Sequence, residues 1–340
     1  MARFLLSKSK ALEQYNSISS LGIVSYSFKT NPKVGMLLEN NADCMFSVHF
    51  KNELKLIKDK SRVWYLAQAL NEPLIAELLD AGVNRFVVEN KEDLELLVAV
   101  VQTRKVKIEL LLRIMLKENT IKTEKHYVFG MESDFVNEMI PLLEKNPLIE
   151  KLGVHFHRKT QNVSEWDLVR EISELISPDS LKCLDYVNIG GGLPALYKNI
   201  TDAVFPSIIK KIGLFRDWLA EFGIQLIIEP GRYLSGPCVK LESEIVGVHG
   251  NTVVIDASVY NSSPDTLIVP IKLLVEGERE SGVPCILKGI TPCSTDIFRY
   301  RVYLKELPKV GERIVFLNAG AYNFHTEFCE LDKVETVIVD

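Results

Sequence analysis

Val24-Ser25-Tyr26-Ser27-Phe28-Lys29-Thr30-Asn31-Pro32 is the stretch from which the rest of the chain can be placed. Its β-branched and aromatic residues favour a strand. Pro32 ends that strand and keeps Asn31 out of helical geometry, so Lys29 falls at the strand's C-terminal end. A lysine in that place is either an ordinary solvated side chain or, where burial and neighbours activate it, a nucleophile. This stretch alone leaves both interpretations open.

The composition excludes several classes of protein. The chain has 340 residues, 47% of them hydrophobic and 25% charged, which is typical of a globular protein with one large and one smaller domain. The net charge of -5, without a Lys/Arg cluster, argues against a nucleic-acid partner. There is no bilayer-length apolar run and no signal peptide, so we expect a soluble, cytoplasmic protein without membrane contact. The six scattered cysteines predict reduced thiols and no metal site.

Short apolar runs alternate with amphipathic segments over the first two thirds of the chain. Eight such runs predict strands, at 22–30, 44–48, 62–66, 84–88, 106–114, 151–157, 185–190 and 224–229. Helices are predicted between them, near 33–41, 51–59, 71–81, 91–103, 132–145, 163–176 and 202–222. Because the strand cores are apolar on both faces, the pattern predicts an α/β fold, a closed parallel (β/α)8 barrel, over residues 1–236.

The pattern changes after residue 236. Short β runs separated by glycine and proline replace the long helical segments, near 241–249, 252–257, 266–270, 284–288, 300–304, 312–318 and 334–339. This spacing predicts a compact antiparallel β domain over residues 237–340.

Polar residues and glycines end five of the predicted barrel strands. They are Lys29, Arg113, His157, the triplet Gly190-Gly191-Gly192, and Glu229-Pro230-Gly231-Arg232. The carboxyl ends of barrel strands meet on one rim, where barrel enzymes carry their chemistry. Each ending also has an ordinary structural explanation: a glycine turn, a buried ion pair, a surface arginine or a core histidine with satisfied hydrogen bonds.

Taken together, these endings suit pyridoxal 5′-phosphate (PLP). A lysine forms the Schiff base with the aldehyde of this cofactor. Backbone N–H groups of glycines and the guanidinium of Arg232 suit its phosphate. A carboxylate such as Glu229 pairs with the pyridinium nitrogen, and His157 can lie against the ring.

The same residues resemble the fold-type III PLP-dependent decarboxylases, the family of ornithine, arginine, diaminopimelate and carboxynorspermidine decarboxylases. The similarity covers nearly the whole chain, in the segments Tyr26–Pro32, Leu112-Arg113-Ile114, Gly153–His157, Asn188–Gly192, Glu229–Arg232, Thr291–Asp296 and Ala319–Tyr322. It implies that Lys29 is the Schiff-base lysine, that His157 stacks on the cofactor, and that Thr160 and Tyr322 contact the phosphate. It further implies a homodimer with active sites at the interface, in which Cys293 of one subunit donates a proton in the other.

The chain departs from the family pattern in three places, two of which concern the substrate. Ser294 stands where the family has an acid that grips the distal amine of a diamino acid, and Asp296 comes one residue early. We therefore take Arg113, Ser294 and Asp296 as candidate substrate contacts, with Asp265 or Glu327 as further replacements for the acid. The N-terminal strand that the family gives to its β domain is expected to be missing.

The resemblance implies a PLP-dependent decarboxylase (a carboxy-lyase) that removes the α-carboxylate of an amino acid or of an amino-acid-bearing conjugate. One such conjugate carries a 3-amino-3-carboxypropyl group, as in antibiotic or siderophore tailoring, and the chain is somewhat similar to the decarboxylase portion of a microcin C maturation enzyme. A basic amino-acid decarboxylase acting on ornithine, lysine, arginine or diaminopimelate is the alternative. A racemase of this fold is disfavoured by Glu229, because racemases place an arginine at the ring nitrogen. A non-catalytic PLP-binding protein is disfavoured by the β domain.

Overall fold

A closed barrel of eight parallel strands forms the larger part of the protein. The computed structural model describes residues 1–116, 129–164, 166–269 and 271–340. Strand β1 (Arg3–Ser7) and helix α1 (Lys8–Ser19) come first. The barrel strands follow as β2 (Ile23–Ser27), β3 (Met45–Val48), β4 (Val63–Leu66), β5 (Arg85–Val88), β6 (Ile108–Arg113), β7 (Ile149–His155), β8 (Tyr186–Asn188) and β9 (Gln225–Ile228). The predicted barrel is confirmed, and each predicted strand overlaps an observed one.

Helices follow the barrel strands and cover them from outside. They are α2 (Pro32–Asn41), α3 (Lys51–Leu54), α4 (Glu72–Asp80), α5 (Lys91–Arg104), α6 (Ser133–Glu144), α7 (Leu168–Leu175), α8 (Pro178–Leu181), α9 (Phe205–Ala220) and α10 (Arg232–Ser235). The helix predicted at 163–176 is shorter than expected, and Glu165 in its range lies outside the described residues. In the described part of the chain, no helix has both the length and the apolarity needed to cross a bilayer.

The Asn-Pro pair that ends the first barrel strand also starts the next helix. The side chain of Asn31 accepts a hydrogen bond from the N–H of Lys33 at 3.1 Å, and Pro32 occupies the first turn of α2. Both are favourable arrangements at a helix N-terminus. Strand β2 ends at Ser27, and a single 3₁₀ turn over Phe28–Thr30 carries Lys29 between strand and helix. The lysine is therefore placed on a short connection that is fixed at both ends.

Large side chains fill the interior of the barrel. Trp64 of β4 and Tyr186 of β8 are buried, and their rings meet edge to face with centroids 5.9 Å apart. Since β4 and β8 lie on opposite sides of the barrel, this contact crosses its interior. The rings close the barrel below the rim, so the open end at the carboxyl side of the strands is left for a ligand.

The C-terminal part of the chain forms a mixed β-sheet. Its strands are β10 (Val239–His249), β11 (Thr252–Ile255), β12 (Leu274–Val275), β13 (Val283–Lys288), β14 (Ile297–Leu304), β15 (Arg313–Leu317) and β16 (Glu335–Val339), with the short helices α11 (Val259–Ser262) and α12 (Asp265–Ile268). The predicted β domain is confirmed, and most pairings are antiparallel. The pairings β1–β16 and β11–β13 are parallel.

Two expectations about this sheet are wrong. The N-terminal strand is present: β1 pairs antiparallel with β10, from Arg3 opposite Glu242 to Leu6 opposite Val239, and so extends the sheet rather than the barrel. Its apolar run is too short to be recognised without its partners. The strand predicted at 266–270 is not formed, since residues 266–268 belong to helix α12; Pro270 lies outside the described residues. Asp265, the first residue of α12, pairs with Arg232 of the barrel.

The buried face of β1 provides a direct test of this arrangement. Leu6 is fully buried in the main core, whereas Leu5 on the opposite face is partly exposed. Leu6→Ala should lower the free energy of unfolding by about 2–5 kcal/mol, because it leaves a cavity in the core. Leu5→Ala should cost clearly less. Chemical denaturation of both variants measures the difference, and equal losses would argue against β1 as an integral strand of the sheet.

Candidate active site

Four of the five predicted strand endings contribute to the walls of one cavity, and the glycine triplet and Arg232 do not. The cavity has a volume of about 350 Å³ and lies at the open rim of the barrel. Its walls include Lys29, Arg113, His157, Thr160 and Glu229, five of the residues singled out by the sequence. Among the described residues, every wall residue comes from the barrel. Cys293, Ser294, Asp296 and Tyr322 do not line this cavity in their own chain.

Glu229 is the buried charge at the floor of this site. Its Oε1 accepts hydrogen bonds from Ser47 Oγ at 2.8 Å and from Asn188 Nδ2 at 2.9 Å. His155 Nε2 lies 3.4 Å from Oε2. Burial alone would raise the pKa of Glu229, but His155, His157 and Asn188 hold it well below its ordinary value. Glu229 is therefore a carboxylate at physiological pH, ready to accept a further proton donor.

His157 is held by the glycine triplet. The N–H of Gly191 donates to His157 Nδ1 at 3.1 Å. Removal of the ring from solvent lowers the pKa of His157 to about 3, so the ring is neutral. A Cβ on Gly191 would lie 2.9 Å from His157 Cε1, and Gly190 and Gly192 have φ angles of +63° and +98°. A side chain would therefore disturb the histidine or the turn at each of these positions.

Arg232 has partners of its own in this structure. Its guanidinium makes a two-pronged contact with the carboxylate of Asp265, with Nη2 2.8 Å from Oδ1. Its Nε donates to Thr160 Oγ1 at 2.8 Å, and its guanidinium lies 4.7 Å from the centre of the Tyr322 ring. Burial alone would lower the pKa of Arg232, but Asp265 raises it. Arg232 thus contacts both Thr160 and Tyr322. A direct contact of Arg232 with the phosphate stays a prediction.

Two of the three acids offered as replacements for the family's substrate acid, Asp265 and Asp296, are already engaged, whereas Glu327 is exposed. Asp265 is buried against Arg232, so it is not free to bind an amine. Asp296 is fully buried and accepts hydrogen bonds from Val259 N at 2.8 Å, Thr291 N at 3.0 Å and Thr291 Oγ1 at 2.7 Å. It therefore holds the segment around Cys293, and its assignment as a substrate contact stays a prediction. Ser294 is exposed.

Cys293 lies in the sheet domain with two hydroxyl neighbours. Its Sγ is 3.1 Å from Thr295 Oγ1 and 3.2 Å from Tyr260 OH. Hydrogen bonds from Thr295 and Tyr260 lower the pKa of the Cys293 thiol to about 7. A thiol with such a pKa can both give and take a proton near neutrality.

The sequence interpretation missed two ionisable cavity residues that directly follow a barrel strand. Glu89 follows β5, and its Oε2 accepts a hydrogen bond from Arg113 Nη1 at 2.7 Å. His49 follows β3, and its Nε2 lies 3.4 Å from Lys29 Nζ. Both stand directly after barrel strands, so the strand-end rule that found Lys29 and Glu229 would have found them as well. The pairing of Arg113 with Glu89 means that this arginine enters the cavity with its charge balanced.

The barrel matches a known family. The family model described as "Pyridoxal-dependent decarboxylase, pyridoxal binding domain" matches residues 9–236, about two thirds of the sequence. The chain therefore belongs to the family of PLP-dependent decarboxylases, and the predicted family and cofactor are confirmed.

Relatives and solved structures agree with this assignment. The probable chloroplastic diaminopimelate decarboxylase of Oryza sativa subsp. japonica is 27% identical over 259 residues, 69% of this chain and 52% of the relative. Diaminopimelate decarboxylase of Aquifex aeolicus is 24% identical over 288 residues, 77% of this chain and 66% of the relative. The chain thus spans about half to two thirds of the length of these relatives.

The fold is shared by solved decarboxylases. Diaminopimelate decarboxylase from Helicobacter pylori complexed with L-lysine superposes with a TM-score of 0.83 at 19% identity, covering 100% of this chain and 92% of that one. Lysine/ornithine decarboxylase from Vibrio vulnificus complexed with cadaverine gives a TM-score of 0.82 at 19% identity, covering 100% and 95%.

The residues present fit PLP. A cavity of about 350 Å³ contains a lysine, an ionised carboxylate and a neutral histidine. The glycine triplet beside it leaves no room for a Cβ at Gly191. Lys29 would link to the cofactor, Glu229 would meet the ring nitrogen, and the glycine triplet with Thr160 would hold the phosphate.

A substitution at Gly191 tests whether the glycine triplet holds the phosphate of PLP. Gly191→Ala places a methyl group within 2.9 Å of His157 Cε1, and such overpacking costs about 1–3 kcal/mol. We expect the affinity for PLP to fall by about 10- to 100-fold, as measured by equilibrium titration. Gly213→Ala in α9 is the control, because no atom lies within 4 Å of the added Cβ. Equal affinities of the two variants for PLP would contradict a phosphate-binding role of the glycine triplet.

The lowered pKa of His157 predicts how the free energy of unfolding depends on pH. Its pKa is lowered from 6.5 to about 3, so between these values the unfolded chain binds a proton that the folded chain refuses. The free energy of unfolding should therefore fall as pH is lowered through this window, by up to about 1.4 kcal/mol per pH unit for this group. Denaturation curves at pH 7, 6, 5 and 4 should show a shallower slope for His157→Asn. An unchanged slope would contradict a neutral His157.

Proposed function

We propose that this protein is a decarboxylase that removes the α-carboxylate of an amino-acid substrate as CO2. The observation that carries the proposal is the buried, ionised Glu229 in the cavity with Lys29. PLP, when bound, supplies an electron sink for the pair left behind when the bond to CO2 breaks. The carboxylate of Glu229 would favour a proton on the ring nitrogen of the bound cofactor and so would sustain that sink. An arginine in its place, as in racemases of this fold, would weaken it.

The chain's own residues then divide the remaining work. Lys29 presents an amine at the rim, and neutral His157 offers an uncharged ring face. After CO2 leaves, a proton must be added to the same carbon, and the Cys293 thiol is suited to give it. Since Cys293 does not line the cavity of its own chain, the proposal includes a homodimer in which the partner subunit supplies this thiol.

The partners of Asp265 and Asp296 bear on which substrate the protein binds. Asp265 and Asp296 are engaged by Arg232 and by the Thr291 segment, and Ser294 replaces the family's acid. The engagement of these two acids favours a substrate without a free distal ammonium group, such as a conjugate bearing a 3-amino-3-carboxypropyl group in antibiotic or siderophore tailoring. The exposed Glu327 is the acid left to bind a distal ammonium group. The second candidate is a basic amino-acid decarboxylase, which the names of relatives acting on diaminopimelate, lysine or ornithine favour.

The lysine gives the first test. After incubation with PLP, Lys29→Ala should lack the visible absorbance band of lysine-linked cofactor, because it has no amine to form the link. The exposed Lys33 in α2 gives the control, since Lys33→Ala should keep the band. A band of normal intensity in Lys29→Ala would overturn the proposed function.

Cys293→Ala, together with Lys29→Ala, tests whether the active site is shared between two subunits. Cys293→Ala should keep the band and release CO2 much more slowly. If Cys293 acts across the interface, mixing Lys29→Ala with Cys293→Ala chains should restore part of the activity, because a mixed dimer contains one intact site.

A substrate screen is the third test. The rate of CO2 release is compared for ornithine, lysine, arginine, diaminopimelate and carboxypropyl conjugates, and the fastest reaction identifies the substrate. Rapid turnover of ornithine or diaminopimelate would exclude the conjugate proposal.

A further inference from the structure

His49 is a partner of Lys29 that none of the family motifs includes. Its Nε2 lies 3.4 Å from Lys29 Nζ, and both side chains line the barrel cavity. Lys29 itself is exposed and reaches the cavity on a flexible four-carbon stem. A contact at the end of that stem decides where the amine points.

The backbone of His49 is firmly held. Its N–H donates to Glu53 Oε2 at 2.7 Å, and the N–H of Phe50 donates to the same oxygen at 3.1 Å. These bonds close the start of α3 directly after β3. His49 therefore projects from a fixed point, which a residue that positions another side chain requires.

The charges around His49 keep its ring neutral. Burial is the main cause and the nearby Lys29 ammonium the next, and together they lower the pKa of His49 to about 3. The other charged or titratable groups facing it are His155 and His157 of the β7 segment, Glu229 after β9, and Glu53 of α3. Glu229 alone of those in the cavity acts in the opposite direction.

A neutral histidine has one ring nitrogen that donates and one that accepts. The ammonium group of Lys29 has no lone pair, so it can only donate a hydrogen bond and His49 Nε2 must accept it. The ring proton of the neutral His49 must then lie on Nδ1. In the described structure, His49 Nδ1 is buried without a hydrogen-bond partner. A buried donor without a partner destabilises a folded protein, so the contact with Lys29 is made at the expense of stability.

We propose that His49 is a positioning residue for Lys29: its Nε2 accepts a hydrogen bond from Nζ and directs the lysine amine into the cavity. This inference rests on the proposed function, in which Lys29 binds the cofactor. It makes His49 a fixed acceptor that orients Lys29. The ammonium group must lose a proton before its nitrogen can act as a nucleophile, and because Lys29 is exposed this proton goes to solvent while the imidazole stays neutral.

Histidine NMR on the full-length chain without added cofactor tests the hydrogen bond directly. In ¹⁵N-labelled protein, His49 should show a protonated Nδ1 and an unprotonated Nε2, with the signals assigned by their loss in His49→Gln. Lys29→Met removes the donor, and the ring should then shift to the form with a proton on Nε2. The exposed His249 serves as internal reference and should not change. A protonated Nε2 in the unmodified chain would overturn the proposal.

A pair of variants tests the positioning role. His49→Gln keeps an acceptor oxygen near the place of Nε2, whereas His49→Leu has a similar size and no acceptor. The visible band should form about tenfold more slowly in His49→Leu than in the parent chain, and within about threefold of the parent rate in His49→Gln. Equal rates for Gln and Leu would contradict positioning by a hydrogen bond. Absence of the band in the parent chain would instead defeat the proposed function, and the NMR result would still decide the role of His49.

Discussion

The structure depends on one constraint, the stabilisation of the Glu229 carboxylate away from water. An isolated buried charge is far too costly for a folded protein, so partners must be in place. They come from different parts of the barrel: Ser47 from β3, His155 from β7 and Asn188 from β8. No segment of the chain alone could supply them. Closure of the barrel is what brings these donors to one point, and the same closure aligns Lys29 and His157 around the cavity.

Much of this arrangement could be predicted from the sequence. The barrel follows from apolar runs at regular spacing, and the cavity residues follow from the rule that barrel strands carry chemistry at their carboxyl ends. Lys29, His157 and Glu229 were found in that way. The two missed wall residues, His49 and Glu89, obey the same rule but belong to no familiar motif. Motif matching thus concealed what strand position alone would have shown.

Other features depend on contacts between distant segments, which no local pattern reveals. The run after Asp265 has the composition of a strand, yet pairing with Arg232 and a helical turn decide its conformation. Asp296 has the position of a substrate ligand in the sequence, yet its oxygens are taken by Val259 and Thr291. Strand β1 is short and is recognisable only beside β10 and β16. In each case the partner, and not the residue itself, determines the role.

The pairing of β1 with β16 has a consequence for how the protein is made. Arg3 lies opposite Glu335, so a strand that precedes the barrel in the sequence pairs with a strand that follows it. The barrel strands lie between them in the sequence and can associate while synthesis continues, but β1 must wait for both of its neighbours. Contacts of such long range are slow to form and leave strand edges exposed in the meantime. During translation, the segment that carries β1 therefore keeps unpaired edges until β10 and β16 have been made.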